Sequence, residues 1–184
     1  MKLTKSPSLI LMGMKHTGKS TLGRTIAKKR NLPFYDLDDL LEKEAQKMGR
    51  DFPESVRPVC REIYRYSKDL FQKLELMAGE MAASIMEKET IVLALGGGAI
   101  ENRGLMEILK AAGRLIFLDE SADLLYERII RGGIPSFLDP ENPKGSFLTI
   151  YEKRCALYYE TAETVVKLRG ASLMGALELL EENL

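Results

Sequence analysis

Metal-ligating and disulfide-forming side chains are scarce in these 184 residues, which hold two cysteines, Cys60 and Cys155, and one histidine, His16. Two thiols so far apart build no disulfide framework and lack the paired spacing of a zinc site. They read as small buried or half-buried side chains. An excess of one charge is missing too: Lys+Arg and Asp+Glu each number 27, giving a formal net charge of +0. That balance excludes a general polyanion-binding surface, so no nucleic-acid partner is expected and any anion site must be local. The first apolar run, Leu9-Ile10-Leu11-Met12, is too short for a signal h-region or a membrane span, so no membrane is expected and the default setting is cytoplasmic. What is present is ordinary: 45% hydrophobic and 29% charged residues fit a single globular domain over 1–184 and exclude a disordered chain.

Short apolar runs alternate with longer amphipathic stretches. The runs are Leu9 to Met12, Pro33-Phe34-Tyr35, Ile91-Val92-Leu93-Ala94-Leu95, Leu115-Ile116-Phe117-Leu118 and Thr164-Val165-Val166-Lys167-Leu168. Continuous rather than alternating hydrophobicity predicts strands buried on both faces, as in a parallel sheet. Helical character is read over 21–30, 70–88, 105–112, 122–130, 150–159 and 172–184; in the second, Leu70, Leu74, Met77, Met81 and Ile85 recur at helical spacing. The alternation predicts a three-layer α/β/α domain with right-handed crossovers. Two stretches interrupt it. Residues 49–58 carry Gly49, Pro53 and Pro58, and residues 132–146 carry Gly132, Gly133, Pro135, Pro140, Pro143 and Gly145, a breaker density that predicts a long mobile loop.

The strongest motif is Gly13-Met14-Lys15-His16-Thr17-Gly18-Lys19-Ser20, which fits the P-loop pattern G-x-x-x-x-G-K-[ST] between a buried strand and a helix. Glycines let the chain turn so that successive N–H groups face one phosphate, and the following helix adds the positive end of its dipole. Lys19 is placed to lie along the β- and γ-phosphates of ATP, with the Ser20 hydroxyl on Mg²⁺. His16 occupies a variable position of the loop and reads as a loop side chain, not an acid or base. Asp36 and Asp38 follow the second strand at i, i+2. If the backbone there is extended, they share the face that opens on the ligand crevice of a parallel sheet. One carboxylate then suits a metal and the other an acceptor hydroxyl. Gly96-Gly97-Gly98 closes the third strand, and three glycines point to close approach of backbone to a ligand, with a tight strand-to-helix turn as the structural alternative.

Taken in order, residues 13–21, Phe34-Tyr35-Asp36-Leu37-Asp38, Ala94-Leu95-Gly96-Gly97-Gly98 and Arg154-Cys155-Ala156-Leu157-Tyr158 resemble the shikimate kinases over residues 8–170. The resemblance implies a P-loop kinase of nucleoside-monophosphate-kinase type, with a five-stranded parallel sheet, a substrate-binding insert over 38–75 and a lid over 131–147. It implies transfer of the ATP γ-phosphate to the 3-hydroxyl of shikimate by a protein expected to be monomeric. By position it puts Gly13, Met14, Lys15, His16, Thr17, Gly18, Lys19, Ser20, Thr21 and Arg128 on ATP, and Ser20 and Asp36 on Mg²⁺. Lys19 and Asp38 become the catalytic pair. Asp38, Gly96, Gly97, Gly98 and Arg154 fall on the substrate, and Arg169 near adenine.

Two departures stand out. The family has Phe-Arg, then two residues and a Glu, where this chain reads Phe71-Gln72-Lys73-Leu74-Glu75. The family lid has Arg-Pro where this chain has Ile134-Pro135. Glutamine lacks the charge and the bidentate fork with which arginine grips a carboxylate. Arg57, Arg61 and Arg65, with Lys73, are the candidates to replace the first arginine, and Arg128 and Arg131 the second. Two other readings follow from these residues: a P-loop kinase of a different small hydroxylated metabolite, and a nucleotide-binding module without chemistry.

Overall fold

The computed structural model describes residues 6–48, 52, 56, 59–135 and 137–184. The apolar runs form strands β1 (Ser8–Met12), β2 (Phe34–Asp36), β3 (Val92–Ala94), β4 (Gly113–Asp119) and β5 (Thr164–Lys167). They pair in the order β2-β3-β1-β4-β5, every pairing parallel. Between them run α1 (Lys19–Lys29), α2 (Leu37–Lys47), α3 (Cys60–Tyr66), α4 (Lys68–Lys88), α5 (Arg103–Ala112), α6 (Ala122–Ile130), α7 (Pro143–Thr161) and α8 (Leu173–Glu182).

All five residues of β1 are buried, which is why Leu9 to Met12 are apolar without alternation. Ile10 and Met12 join Leu93, Leu115 and Phe117 in a cluster with α2, α4, α5 and α7. Leu9 and Leu11 face the other way, with Val92, Ile116 and Leu118, against Leu22 and Ile26 of α1 and Leu177 and Leu180 of α8. Helices therefore cover both sheet faces, as the expected three-layer architecture requires. Each such fully buried aliphatic side chain contributes about 1.5–3 kcal/mol. Strand order reverses around β1, since β2 and β3 lie on one side of it and β4 and β5 on the other. The crevice beyond the carboxyl ends of the strands at that switch point is where such sheets bind ligands.

Three local expectations need correction. Helix α3 was not foreseen; it follows the breaker segment, whose residues 49–51, 53–55, 57 and 58 lie outside the described residues. The last long helix before β5 begins at Pro143, not at residue 150, so the loop read over 132–146 ends at Asn142. The physical reason is placement: proline at the first helical position gives up no intrahelical bond, and the Asn142 side chain accepts from the Gly145 N–H at 3.1 Å. The third correction concerns the two carboxylates. Helix α2 starts at Leu37, so Asp38 is helical rather than extended, and Asp36 is the cap of that helix.

Candidate active site

The P-loop joins β1 to α1 at the switch point. Gly18 caps α1 in the left-handed region at φ 87°, a conformation costly for any residue with a Cβ. It offers no side chain to the first turn, and that turn holds no acidic residue, so its N–H groups and dipole are left for an anion. Lys19 is only 7% exposed. Its ammonium donates to the Met14 carbonyl at 2.8 Å and reaches Thr17 Oγ1 at 3.4 Å, and the Thr17 hydroxyl donates to the same carbonyl. Burial pulls Lys19 down to about 8, against the opposing pull of Asp38 and Asp36. His16 adopts a positive φ of 67° and exposes its side chain. Partial desolvation by the loop around it, then Lys15, Lys19 and Arg128, hold its imidazole below the ordinary value. Arg128 of α6 donates to the His16 carbonyl at 3.1 Å and lies 3.8 Å from the buried Glu120 carboxylate. Glu120 also accepts from the Gly170 N–H beside Arg169, which ties the loop after β5 to the same corner.

Asp36 performs two tasks. One carboxylate oxygen accepts from the Asp38 N–H at 3.2 Å, and the other accepts from the Ser20 hydroxyl at 2.6 Å. The pair on which the metal reading rests is thus brought together by a helix cap. Asp38 is pushed up to about 6, by burial first and by Asp36 next, with Lys19 opposing.

The triple glycine packs on every part of this center, and none of the three needs an unusual backbone. A methyl built on Gly96 would lie 3.0 Å from Asp38 Oδ1, one on Gly97 only 2.8 Å from the Lys15 backbone nitrogen, and one on Gly98 3.3 Å from Arg154 Nη2. The glycines are thus explained by close approach of the protein to itself, alongside any approach to a ligand. Arg154 of α7 donates to the Gly97 carbonyl at 3.2 Å and pairs with Glu101 at 2.7 Å. Tyr158, one helical turn on, stacks on Phe117 at 4.8 Å and donates to the same Gly97 carbonyl at 2.8 Å. Glu75 is buried beneath, accepting from Asn102 Nδ2 at 2.9 Å, and burial raises it to about 7. Sequence reasoning gave Tyr158 and Glu75 no role. The signal was the i, i+4 spacing of Arg154 and Tyr158 on one helix face, and an acidic residue inside the apolar repeat of α4.

A cavity of about 450 Å³ opens beside the P-loop. Lys15, His16, Asp38 and Arg128 line it, together with Gly132, Gly133, Ile134 and Pro135 of the loop after α6 and with Phe137. Arg61 and Arg65 of α3 line it as well, with Tyr64 and Phe71. Gln72 and Arg154 do not: Gln72 is exposed, with its carbonyl accepting from Asn102, and Arg154 stays behind the glycine turn. Arg57 lies outside the described residues.

The parallel sheet in this order and a P-loop at its switch point, with a cavity adjoining it, define the P-loop kinase fold. Comparison with known proteins narrows the class. The shikimate kinase family model matches residues 15–182. The shikimate kinase of Bartonella quintana is 32% identical over 158 residues, covering 86% of this chain and 69% of that protein. That of Cupriavidus pinatubonensis is 32% identical over 164 residues, covering 89% and 79%. Among solved structures, the shikimate kinase of Acinetobacter baumannii in complex with shikimate superposes with a TM-score of 0.75 at 25% identity, over 96% of this chain and 90% of the other. The Bacteroides thetaiotaomicron shikimate kinase gives 0.74 at 25% identity, over 96% of each chain. The chain belongs to the shikimate kinase family.

Proposed function

We propose that this chain transfers the γ-phosphoryl group of ATP to the 3-hydroxyl of shikimate. The observation that carries the reading is that Lys19 is held in the field of Asp36 and Asp38, Ser20 donates to Asp36, and Asp38 lines the cavity beside the P-loop. The P-loop N–H groups cradle the phosphates, and Lys19 leaves the Met14 carbonyl to lie along the β- and γ-oxygens. Ser20 and Asp36 offer hard oxygen donors, the kind Mg²⁺ prefers with phosphates and water completing its shell, so they would hold it. When bound, that ion neutralizes phosphate charge. Asp38 receives the proton of the attacking hydroxyl as its oxygen bonds to phosphorus and the bond to ADP breaks.

Arg128, fixed on the P-loop carbonyl, faces the transferring group, and residues 131–147 act as the lid that excludes water. Residues 38–75 form the acceptor side, with Gly96, Gly97 and Gly98 packed behind Asp38 and Lys15 and braced in turn by Arg154. In the same reading the protein is a cytoplasmic monomer. The test is coupled ADP release with ATP and Mg²⁺, with and without millimolar shikimate. Shikimate-dependent release is expected; ATP binding without a shikimate response would overturn the assignment. Gln72 and Ile134 favor one second reading, a kinase of another small hydroxylated metabolite, and a screen of such acceptors would then identify it.

A further inference from the structure

The cavity holds one carboxylate, Asp38, among four cationic side chains: Lys15, Arg61, Arg65 and Arg128. Lys15 belongs to the P-loop and Arg128 is bonded to it, so these two serve the nucleotide phosphates. Arg61 and Arg65 are a surplus on a separate element. They stand four residues apart on α3, one turn, and so share one face. Among the described residues neither has a carboxylate partner, whereas Arg154 is paired with Glu101 and Arg128 lies beside Glu120. Two unpaired guanidiniums on one cavity wall repel each other unless an anion lies between them.

Their helix is fastened to the catalytic wall. The Cys60 N–H donates to Glu42 Oε1 at 3.0 Å, the Cys60 thiol donates to the Asp38 carbonyl at 3.4 Å, and Ile63 is fully buried on the opposite side. Tyr64 meets Phe71 edge-on at 5.4 Å, which docks α3 on α4. The helix that carries both guanidiniums is therefore tied to the one that carries Asp38, and all three side chains line one cavity, while Gln72 brings no charge and does not line it.

We infer that Arg61 and Arg65 are the specificity residues that bind the acceptor's carboxylate, so that carboxylate recognition in this chain resides on α3 and not at position 72. The inference rests on the kinase reading above and names the residues that choose its acceptor. An acceptor of this cavity then carries a hydroxyl for Asp38 and an anionic group for the arginine pair.

The experiment measures kcat and KM for shikimate and for its carboxamide at saturating ATP, in the wild type and in Arg61→Gln, Arg65→Gln and the double variant. A lost charge-assisted bond corresponds to a KM for shikimate raised by about one to two decades in the double variant. The KM for ATP should stay within about twofold of wild type. The decisive readout is the preference for acid over amide, which should collapse toward unity in the double variant and return in part in Arg61→Lys; a merely structural role would not move it. Both side chains are exposed, so the melting temperature should not change. Shikimate turnover with an undiminished acid-to-amide preference in the double variant overturns this inference alone. Absence of shikimate turnover in the wild type overturns the kinase reading and the inference together.

Discussion

Replacing Gly97 by alanine tests the packing of the glycine turn directly. The added methyl would sit 2.8 Å from the Lys15 backbone nitrogen, 3.3 Å from its Cα and 3.4 Å from its Cβ. The first of these is far inside ordinary contact, and the atom met is backbone, which cannot rotate away. Gly97 cannot retreat either, because its carbonyl accepts from both Tyr158 and Arg154, and the Gly96 and Gly98 carbonyls accept from the N–H groups of Ala99 and Glu101. Overpacking of this kind costs about 1–3 kcal/mol. For a chain of this size a cost of about 2 kcal/mol lowers the melting temperature by about 4–8 °C. Relief by displacement of Lys15 would also misalign the phosphate cradle, raising the KM for ATP by about tenfold. Gly96→Ala meets the Asp38 side chain at 3.0 Å, so it should lower kcat more than stability. Gly98→Ala meets only an Arg154 nitrogen at 3.3 Å and should be the mildest of the three. Thermal melts and ATP kinetics on the three variants check the ranking. A Gly97→Ala protein that melts within about 1 °C of wild type with unchanged KM for ATP would refute the reasoning.

Lys19→Ala should leave the melt nearly unchanged, since the hydrogen bonds it loses to Met14 and Thr17 are offset by the removal of a buried ammonium, while turnover falls by about two to three decades. Retained turnover would remove Lys19 from the phosphate cradle. Asp36→Asn keeps an acceptor for the Asp38 N–H but loses the carboxylate facing Ser20. The Mg²⁺ concentration for half-maximal rate should therefore rise about tenfold or more with little change in the melt, and an unchanged Mg²⁺ titration would remove Asp36 from the metal. Glu75 is raised from 4.5 to about 7 by burial, so the folded state binds its proton more tightly than the unfolded state. That stabilization is fully present below about pH 4.5 and is lost as pH climbs through about 7, a swing of about 3 kcal/mol. Glu75→Gln, which still accepts from Asn102, should flatten that fall in a pH series of denaturant melts; parallel curves for the two proteins would disprove it.

The donor half of the site is written in contiguous residues, and that is why sequence alone reveals it. Gly13, Gly18, Lys19 and Ser20 act through local backbone geometry, and the strand before them and helix after them need only apolar content and a cap. The same locality makes the sheet readable, because a strand buried on both faces has to be apolar throughout. The acceptor half is assembled from distant segments. Asp36 and Asp38 look extended in sequence, yet the chain turns helical at Leu37, and the cap bond brings Asp36 to Ser20. The glycines at 96–98 suggest a ligand, but what they approach includes Lys15 and Arg154, contacts that no spacing rule encodes. Arg61 and Arg65 carry the same i, i+4 signature as any solvated helix face. Only the docking of α3 through Cys60, Ile63 and Tyr64 turns that face into a cavity wall. This difference explains where the chain departs from its family. In the proposed reading the cradle tolerates no exchange of Lys19, because one ammonium must reach one phosphate. A carboxylate can be met by arginines from any wall of the cavity, so Gln72 is tolerated once α3 supplies the charge.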